Sequence, residues 1–91
     1  MKIRWTVPAS KDLQQIARYI RRDNPAAARK VARTIFDAAD SLQQFPNRGR
    51  VGRIAGSREY VFPGWPYILV YRINDTTIEI LRIYHAAQDW P

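Results

Sequence analysis

Cysteine is absent from this 91-residue chain, and histidine occurs once, as His85. Without cysteine the chain has neither a disulfide framework nor a thiolate metal site, and a single histidine excludes a histidine cluster for zinc. We therefore expect no metal, no cofactor and a fold that rests on hydrophobic packing. A chain of this length buries only about 60–65% of its unfolded surface, so stabilisation by a partner is expected to matter.

Long apolar runs are missing as well. No stretch reaches the roughly 18 apolar residues of a membrane-spanning helix, and the first residues hold no segment of the kind found in secretory signals. We expect a soluble, cytoplasmic protein with no membrane partner. The length suits one hydrophobic core, which predicts a single domain over residues 1–91.

Acidic residues and lysines are scarce. Fifteen Lys+Arg stand against eight Asp+Glu, for a formal net charge of +7, and the lysines are only Lys2, Lys11 and Lys30. The arginine surplus favours bidentate binding of phosphate or carboxylate groups. The alternative is that the charge serves solubility alone.

Many of these arginines follow residue 46, in a segment that also contains three glycines and no acidic residue. We call residues 47–57 the Gly/Arg loop. Such a loop is expected to be exposed and to present fixed cationic groups to a polyanion or to an acidic protein. We predict that the target is bound by Arg48, Arg50, Arg53, Arg58 and Tyr84.

The periodicity of apolar residues predicts an α+β fold. Residues 2–7 alternate apolar and polar side chains, as in a short strand, and two stretches with helical spacing follow Pro8. The last third is rich in aromatic and β-branched residues and is broken at Pro63-Gly64 and at residues 74–75, which is typical of three antiparallel strands. We expect a small antiparallel sheet, formed in the order strand, two-helix hairpin and three strands, with the helices packed on one face and the other face open.

The two predicted helices are separated by only about two residues, so they must pack as antiparallel neighbours. Asn24 is placed to cap the second helix, and Pro25 suits its first position. The outer faces of this hairpin are basic, which usually indicates a solvated surface. The alternative is a docking site for a partner, formed by Arg18, Arg22 and Arg29.

Pairing across the last hairpin constrains the chemistry of the sheet. A two-residue loop at positions 74–75 places Arg72 diagonal to Glu79 on one face, where an ion pair is expected. In a regular final strand Arg82 and His85 point to opposite faces, so a joint role requires a bulge or a strand end between them. His85 is otherwise expected to cap the sheet by hydrogen-bonding the backbone.

Four segments, in their order and spacing, resemble the RelE/ParE toxins of bacterial type II toxin–antitoxin modules, and the resemblance spans essentially the whole chain. They are residues 42–50 (LQQFPNRGR), 56–59 (GSRE), 67–72 (YILVYR) and 80–85 (ILRIYH). The resemblance implies a growth-inhibiting toxin that is neutralised by a small antitoxin encoded beside it. Such antitoxins are usually acidic where they wrap the toxin, which suits contacts with Arg18, Arg22 and Arg29.

The family divides over its target. RelE-like members cut messenger RNA in the ribosomal decoding site without metal, whereas ParE-like members inhibit DNA gyrase. Metal-free RNA cleavage needs a base, an acid and cations that stabilise the phosphate charge. For a ribonuclease, the resemblance implies that Glu59 and His85 act as the base and the acid that exchange protons with the RNA. The cations that would stabilise the charge are Arg82, Arg53 and Arg58.

Residues 67–70 of the middle strand carry no cation, and no lysine follows Lys30. Ribonuclease members tend to carry cations there, so this departure favours a ParE-like gyrase inhibitor over a ribosome-dependent endoribonuclease, and enzymatic activity stays open. The expected partners are the antitoxin and gyrase or, alternatively, the ribosome and mRNA. A basic nucleic-acid-binding domain ranks last, because no recognition helix or RNA-binding aromatic motif is evident.

Overall fold

One strand, two helices and four further strands follow each other along the chain, in a computed structural model that describes residues 1–87. The predicted α+β class and the helical hairpin are confirmed, and a two-residue strand within the Gly/Arg loop is additional. Neither helix in this range is long and apolar enough to cross a membrane. The elements are β1 (Lys2–Trp5), α1 (Val7–Arg21), α2 (Pro25–Ser41), β2 (Arg50–Val51), β3 (Arg58–Val61), β4 (Tyr67–Asn74) and β5 (Thr77–His85).

Both helices begin after a capping side chain and have a proline in the first turn. The hydroxyl of Thr6 accepts a hydrogen bond from the backbone N–H of Ala9 at the start of α1. Asn24 caps α2 in the same way, accepting from the N–H of Ala27 at 3.0 Å, as predicted. These bonds satisfy N–H groups that a helix leaves unpaired, so both helices start at fixed positions.

The five strands form one sheet in the order β1-β5-β4-β3-β2. The last four strands pair antiparallel, whereas β1 runs parallel to β5, so the prediction of a wholly antiparallel sheet is wrong for this strand. The two helices connect β1 to the rest of the sheet, and a long crossover of this kind is what parallel pairing requires. In this register Ile3 and Trp5 of β1 lie opposite Ile78 and Ile80 of β5 and pack on the main core.

The main core lies between the helices and one face of the sheet, which we call the helix side. Tyr71 of β4 is fully buried there, and its hydroxyl accepts from the N–H of Gly49 at 2.8 Å and donates to the carbonyl of Pro46 at 2.7 Å. A Cβ atom at position 49 would lie 2.8 Å from the Tyr71 side chain, so this close approach requires glycine. The other buried residues of this core are Ala9, Ile35, Ala39, Leu42, Phe62, Leu69, Ile78, Ile80 and Ile83.

The opposite face of the sheet, which we call the open face, is not the bare surface that the sequence predicts. Ile68 and Val70 are buried there in a second, smaller apolar cluster. Ile54 of the Gly/Arg loop packs on this cluster, so the loop folds back over part of the face. The physical reason is that removal of the neighbouring Ile68 and Val70 side chains from water lowers the free energy of the folded state.

The hairpin of β4 and β5 has a different turn from the predicted one. Its loop residues are Asp75 and Thr76, and Asp75 adopts a left-handed conformation with φ of +53°, which aspartate tolerates. Arg72 therefore lies directly opposite Glu79 instead of diagonal to it. The predicted ion pair between these two residues is confirmed.

The pairing of β4 with β5 also shifts once along its length. Val70 pairs with Arg82 and Tyr71 pairs with Ile80, which leaves Leu81 as an extra residue on β5. A bulge of this kind increases the local twist of the strand. Because the bulge lies before Arg82 rather than after it, Arg82 and the later residue His85 still point to opposite faces.

Candidate functional site

Two glutamates are buried on the open face, and arginines hold both of them. The side chain of Glu59 on β3 is only 1% exposed; it accepts hydrogen bonds from Arg50 at 2.9 and 3.1 Å and from the backbone N–H of Arg53 at 2.9 Å. Burial raises the pKa of Glu59, but the hydrogen bonds and charges of Arg53 and Arg50 outweigh it and bring that pKa below its ordinary value. Glu59 is therefore an anion at neutral pH with both of its oxygens engaged.

Glu79 of β5 lies between arginines of the two neighbouring strands. Arg4 of β1 and Arg72 of β4 are both its direct partners in register, and each forms an ion pair with a different oxygen of the carboxylate. The Glu79 side chain is 5% exposed, whereas those of Arg4 and Arg72 are 57% and 51% exposed. The role of Arg4 was missed in the sequence, because it depends on the parallel pairing of β1 with β5.

Arg82, a predicted catalytic cation, is bound by an aspartate of α1. Asp12 accepts hydrogen bonds from Arg82 at 2.8 and 3.1 Å and from the backbone N–H of Ile83 at 2.9 Å. The hydrogen bond to Asp12 raises the pKa of Arg82, against the smaller effect of desolvation. The guanidinium carbon of Arg82 lies 5.0 Å from the centre of the Tyr84 ring. Asp12 thus links α1 to Arg82 and Ile83 of β5, which lie beyond the residues of β5 that pair with β1.

His85, the predicted proton carrier, lies at the end of β5 and faces the helix side. It is paired in register with Tyr67, and the two rings meet edge to face with their centres 5.6 Å apart. Its Nδ1 accepts a hydrogen bond from the backbone N–H of Ala87 at 3.1 Å, a contact expected of a histidine that caps a strand. His85 and Tyr67 line a cleft of about 300 Å³. The other residues that line it are Asp12, Gln15, Ile16, Tyr19 and Ile83.

The structure brings two of the three predicted catalytic residues to one face and leaves the third on the other. Glu59 and Arg82 lie on either side of Val70, and two strand spacings separate them by about 10 Å. His85 faces the helix side. Acid–base catalysis requires groups within hydrogen-bond reach of the reacting atoms. Across residues 1–87 no three His, Asp or Glu side chains are grouped closely enough to hold a metal ion.

The arginines of the Gly/Arg loop and its borders are bound by the protein itself. Arg58 donates to the carbonyl of Gly49 at 2.7 Å, and Arg48 donates to the hydroxyl of Ser41 at 3.0 Å and lies over the ring of Tyr60. Arg48, Arg50 and Arg58 thus each have a partner within the protein, while Arg48 and Arg50 remain exposed and Arg58 is half-buried.

The remaining predicted target contacts lie near the open face. Arg53 is exposed next to Glu59, and Tyr84 is half-buried in the small apolar cluster beneath Arg82. Strand register places five cations on this face, and the carboxylates of Glu59, Glu79 and, from α1, Asp12 pair with four of them, which leaves a positive surplus. The five cations are Lys2, Arg4, Arg50, Arg72 and Arg82.

The outer side of the helical hairpin carries an apolar groove that the sequence analysis missed. Phe36 of α2 is 50% exposed and stacks nearly parallel to Trp5, with ring centres 6.3 Å apart. With Leu13 and Ala32 it lines a groove of about 440 Å³. The available signal was Phe36 itself, a large apolar residue that directly follows the core residue Ile35 in α2. Arg29 and Arg33 border the groove, and the other predicted antitoxin contacts, also exposed, are Arg18 and Arg22.

The sequence matches the profile of one protein family, described as the ParE toxin of the type II toxin–antitoxin system parDE, over residues 3–90. The candidate toxin Y4kP of Sinorhizobium fredii is 46% identical over 90 residues, which cover 99% of this chain and 93% of that protein. Toxin RelE2 of Caulobacter vibrioides is 39% identical over 84 residues, which cover 92% of this chain and 93% of that protein.

Two solved structures share the fold. A chain in the structure of the chromosomal ParDE system of P. aeruginosa superimposes with a TM-score of 0.86 at 31% identity, covering 93% of this chain and 95% of that chain. A chain in the RelBE2 toxin–antitoxin complex of Mycobacterium tuberculosis gives a TM-score of 0.69 at 28% identity, covering 92% of this chain and 95% of that chain. The similarity therefore extends over nearly the full length of these proteins.

Proposed function

Because this chain belongs to the RelE/ParE family of toxins in type II toxin–antitoxin systems, we propose that it stops bacterial growth by binding and inhibiting DNA gyrase, and that a cognate antitoxin neutralises it. On this proposal the toxin acts through a binding surface and performs no hydrolysis itself. The observation that carries it is the separation of the three residues that metal-free RNA cleavage would use.

Each of these three residues is engaged in a contact that suits a structural role. Both oxygens of Glu59 accept hydrogen bonds from arginine, and Arg82 is held by Asp12. His85 accepts a hydrogen bond from Ala87 on the far side of the sheet. A binding surface, in contrast, gains from side chains that are fixed in advance, because less conformational entropy is lost when the partner arrives.

The target is tested with the purified toxin in two parallel assays, supercoiling by gyrase holoenzyme and cleavage of messenger RNA on translating ribosomes. We expect inhibited supercoiling, and DNA breaks after induction in a host that lacks the antitoxin, with mRNA intact. Codon-linked mRNA cleavage with intact DNA would overturn the proposal and establish the RelE-like alternative. Similarity to Toxin RelE2 is the observation that favours that alternative.

We place the antitoxin on the groove of the helical hairpin. A half-exposed phenylalanine between arginines fits an amphipathic segment whose apolar side chains enter the groove and whose carboxylates meet Arg29 and its neighbours. Both structural relatives come from toxin–antitoxin systems.

Replacement of Phe36 by alanine together with Arg29→Glu tests this placement. We expect about 100-fold weaker binding of the antitoxin encoded beside the toxin, because an aromatic anchor and a complementary charge are both lost. The measurement is isothermal titration calorimetry, with circular dichroism to confirm folding. Phe45→Ala is the matched control, since Phe45 is also exposed but lies in the loop after α2. Equal affinities of the double variant and the control would contradict the placement.

A further inference from the structure

The ion triad of Arg4, Glu79 and Arg72 on the open face has no part in the site predicted from the sequence. We propose that this triad docks carboxylates of an acidic protein surface, with Glu79 as the residue that positions the two guanidinium groups. The inference rests on the proposed function, in which the toxin acts by binding a protein, and it identifies the face and the chemistry of that contact.

The geometry of the triad suits recognition of two carboxylates. Its three residues lie on adjacent strands in one register row, so the stems of Arg4 and Arg72 are about 10 Å apart. The bonds to Glu79 use one nitrogen of each guanidinium, Nη2 of Arg4 and Nε of Arg72. A guanidinium carries five N–H donors, and about half of each side chain is exposed. Each arginine can therefore bind a further carboxylate.

Folding alone does not require a charge at position 79. Burial of a carboxylate costs free energy, and replacement of buried ion pairs by apolar residues is often neutral or stabilising. The same face accepts apolar residues next to the triad, since Val70 is fully buried there beside Leu81. What the carboxylate does supply is a fixed position for two long, flexible side chains before a partner arrives, which lowers the cost of ordering them.

The surroundings of the triad favour a protein partner over a nucleic acid. Leu81 is half-buried on the same face, two residues from Glu79 and packed against the buried Val70, so apolar surface adjoins the triad as in protein interfaces. Stacking on bases requires an exposed ring beside cations. The row of Arg4, Glu79 and Arg72 contains no aromatic ring, and the Tyr84 ring, which does lie beside a cation, is five residues along β5 from Glu79.

The test compares two triple variants that lower the net charge equally. The first is Arg4→Gln/Glu79→Gln/Arg72→Gln, which leaves no unpaired charge buried. The control is Lys11→Gln/Arg21→Gln/Asp23→Asn, three exposed residues of α1 and of the turn that follows it. Binding to immobilised gyrase holoenzyme is measured at increasing salt. We expect at least about 10-fold weaker binding and a flatter salt dependence for the first variant, and a change of less than about 2-fold for the control.

Glu79→Gln alone separates positioning from charge, because both arginines remain. A purely structural role would lower the melting temperature and leave the affinity of the folded protein unchanged, whereas positioning predicts faster dissociation from gyrase. If the wild type binds gyrase and the triad variant binds it equally well, this inference is overturned and the proposed function stands. Failure of the wild type to bind gyrase overturns the proposed function and the inference with it. Binding of a single-stranded RNA oligomer that the triad variant loses, without gyrase binding, would assign the triad to a nucleic acid.

Discussion

The two faces of the sheet are built by different physical means. On the helix side, Leu69 and Tyr71 of β4 are fully buried among apolar side chains of the helices and of β5. On the open face, Glu59 and Glu79 are buried beneath arginines that remain half exposed. Successive side chains of a strand point to opposite faces, so one strand can serve both. Apolar burial is therefore concentrated on one face of the sheet and oriented charge on the other.

The largest predicted effect tests where the stability lies. Ile80→Ala removes a fully buried side chain from the helix side and should lower the free energy of unfolding by about 3 kcal/mol, through lost apolar burial and a cavity. Leu81→Ala, one residue later, is the matched control, because Leu81 is half-buried at the bulge on the open face; we expect about 1 kcal/mol. Urea denaturation measures both. Equal losses would remove the distinction between the faces.

The second prediction concerns the charge of Glu59. Its pKa is lowered in the folded state, so its ionisation stabilises the protein above the unfolded pKa of about 4.3, and this stabilisation is lost as the pH falls through the folded value. Glu59→Gln should cost about 1–3 kcal/mol at pH 7, and the gap to the wild type should close in acid. The measurement is urea denaturation between pH 7 and about pH 3. A gap that stays constant would show that packing, not charge, explains the loss.

The smallest predicted effect is that of His85→Ala. The side chain is exposed at the end of β5 and hydrogen-bonds one backbone N–H, so the unfolding free energy should change by about 0.5 kcal/mol or less. A gyrase inhibitor should keep its toxicity with this substitution. Growth after induction in a host without antitoxin is the readout, with antitoxin binding as the control for folding. Lost toxicity in a folded variant would support the ribonuclease alternative.

Local patterns in the sequence predicted the features that depend on neighbouring residues. Asn24 and Pro25 marked the start of α2, because capping and proline geometry act within one turn. The attraction between Arg72 and Glu79 was also predictable, since both lie on the same face of one hairpin. The exact turn was not predictable, because Asn74 and Asp75 both suit a turn. Strand register decided that the loop is Asp75 and Thr76 instead of Asn74 and Asp75.

Contacts between distant segments escaped local reasoning. Asp12 reaches Arg82 and Ile83 across 70 and 71 positions of the chain, and Arg4 meets Glu79 across 75. Nothing in the residues around Asp12 or Arg4 distinguishes them from ordinary surface charges. The parallel placement of β1 beside β5 creates both the row that holds Arg4 and the unpaired end of β5 that Asp12 covers.

The order of residues by itself determined the class of fold, the helical hairpin, the positive charge and the family of toxins, because periodicity, caps and composition act locally or additively. Tertiary structure alone decided which cations are engaged and which carboxylates are buried. The reason is that burial and ion pairing depend on strand register, and one strand placed in parallel at the edge of the sheet changes which side chains meet.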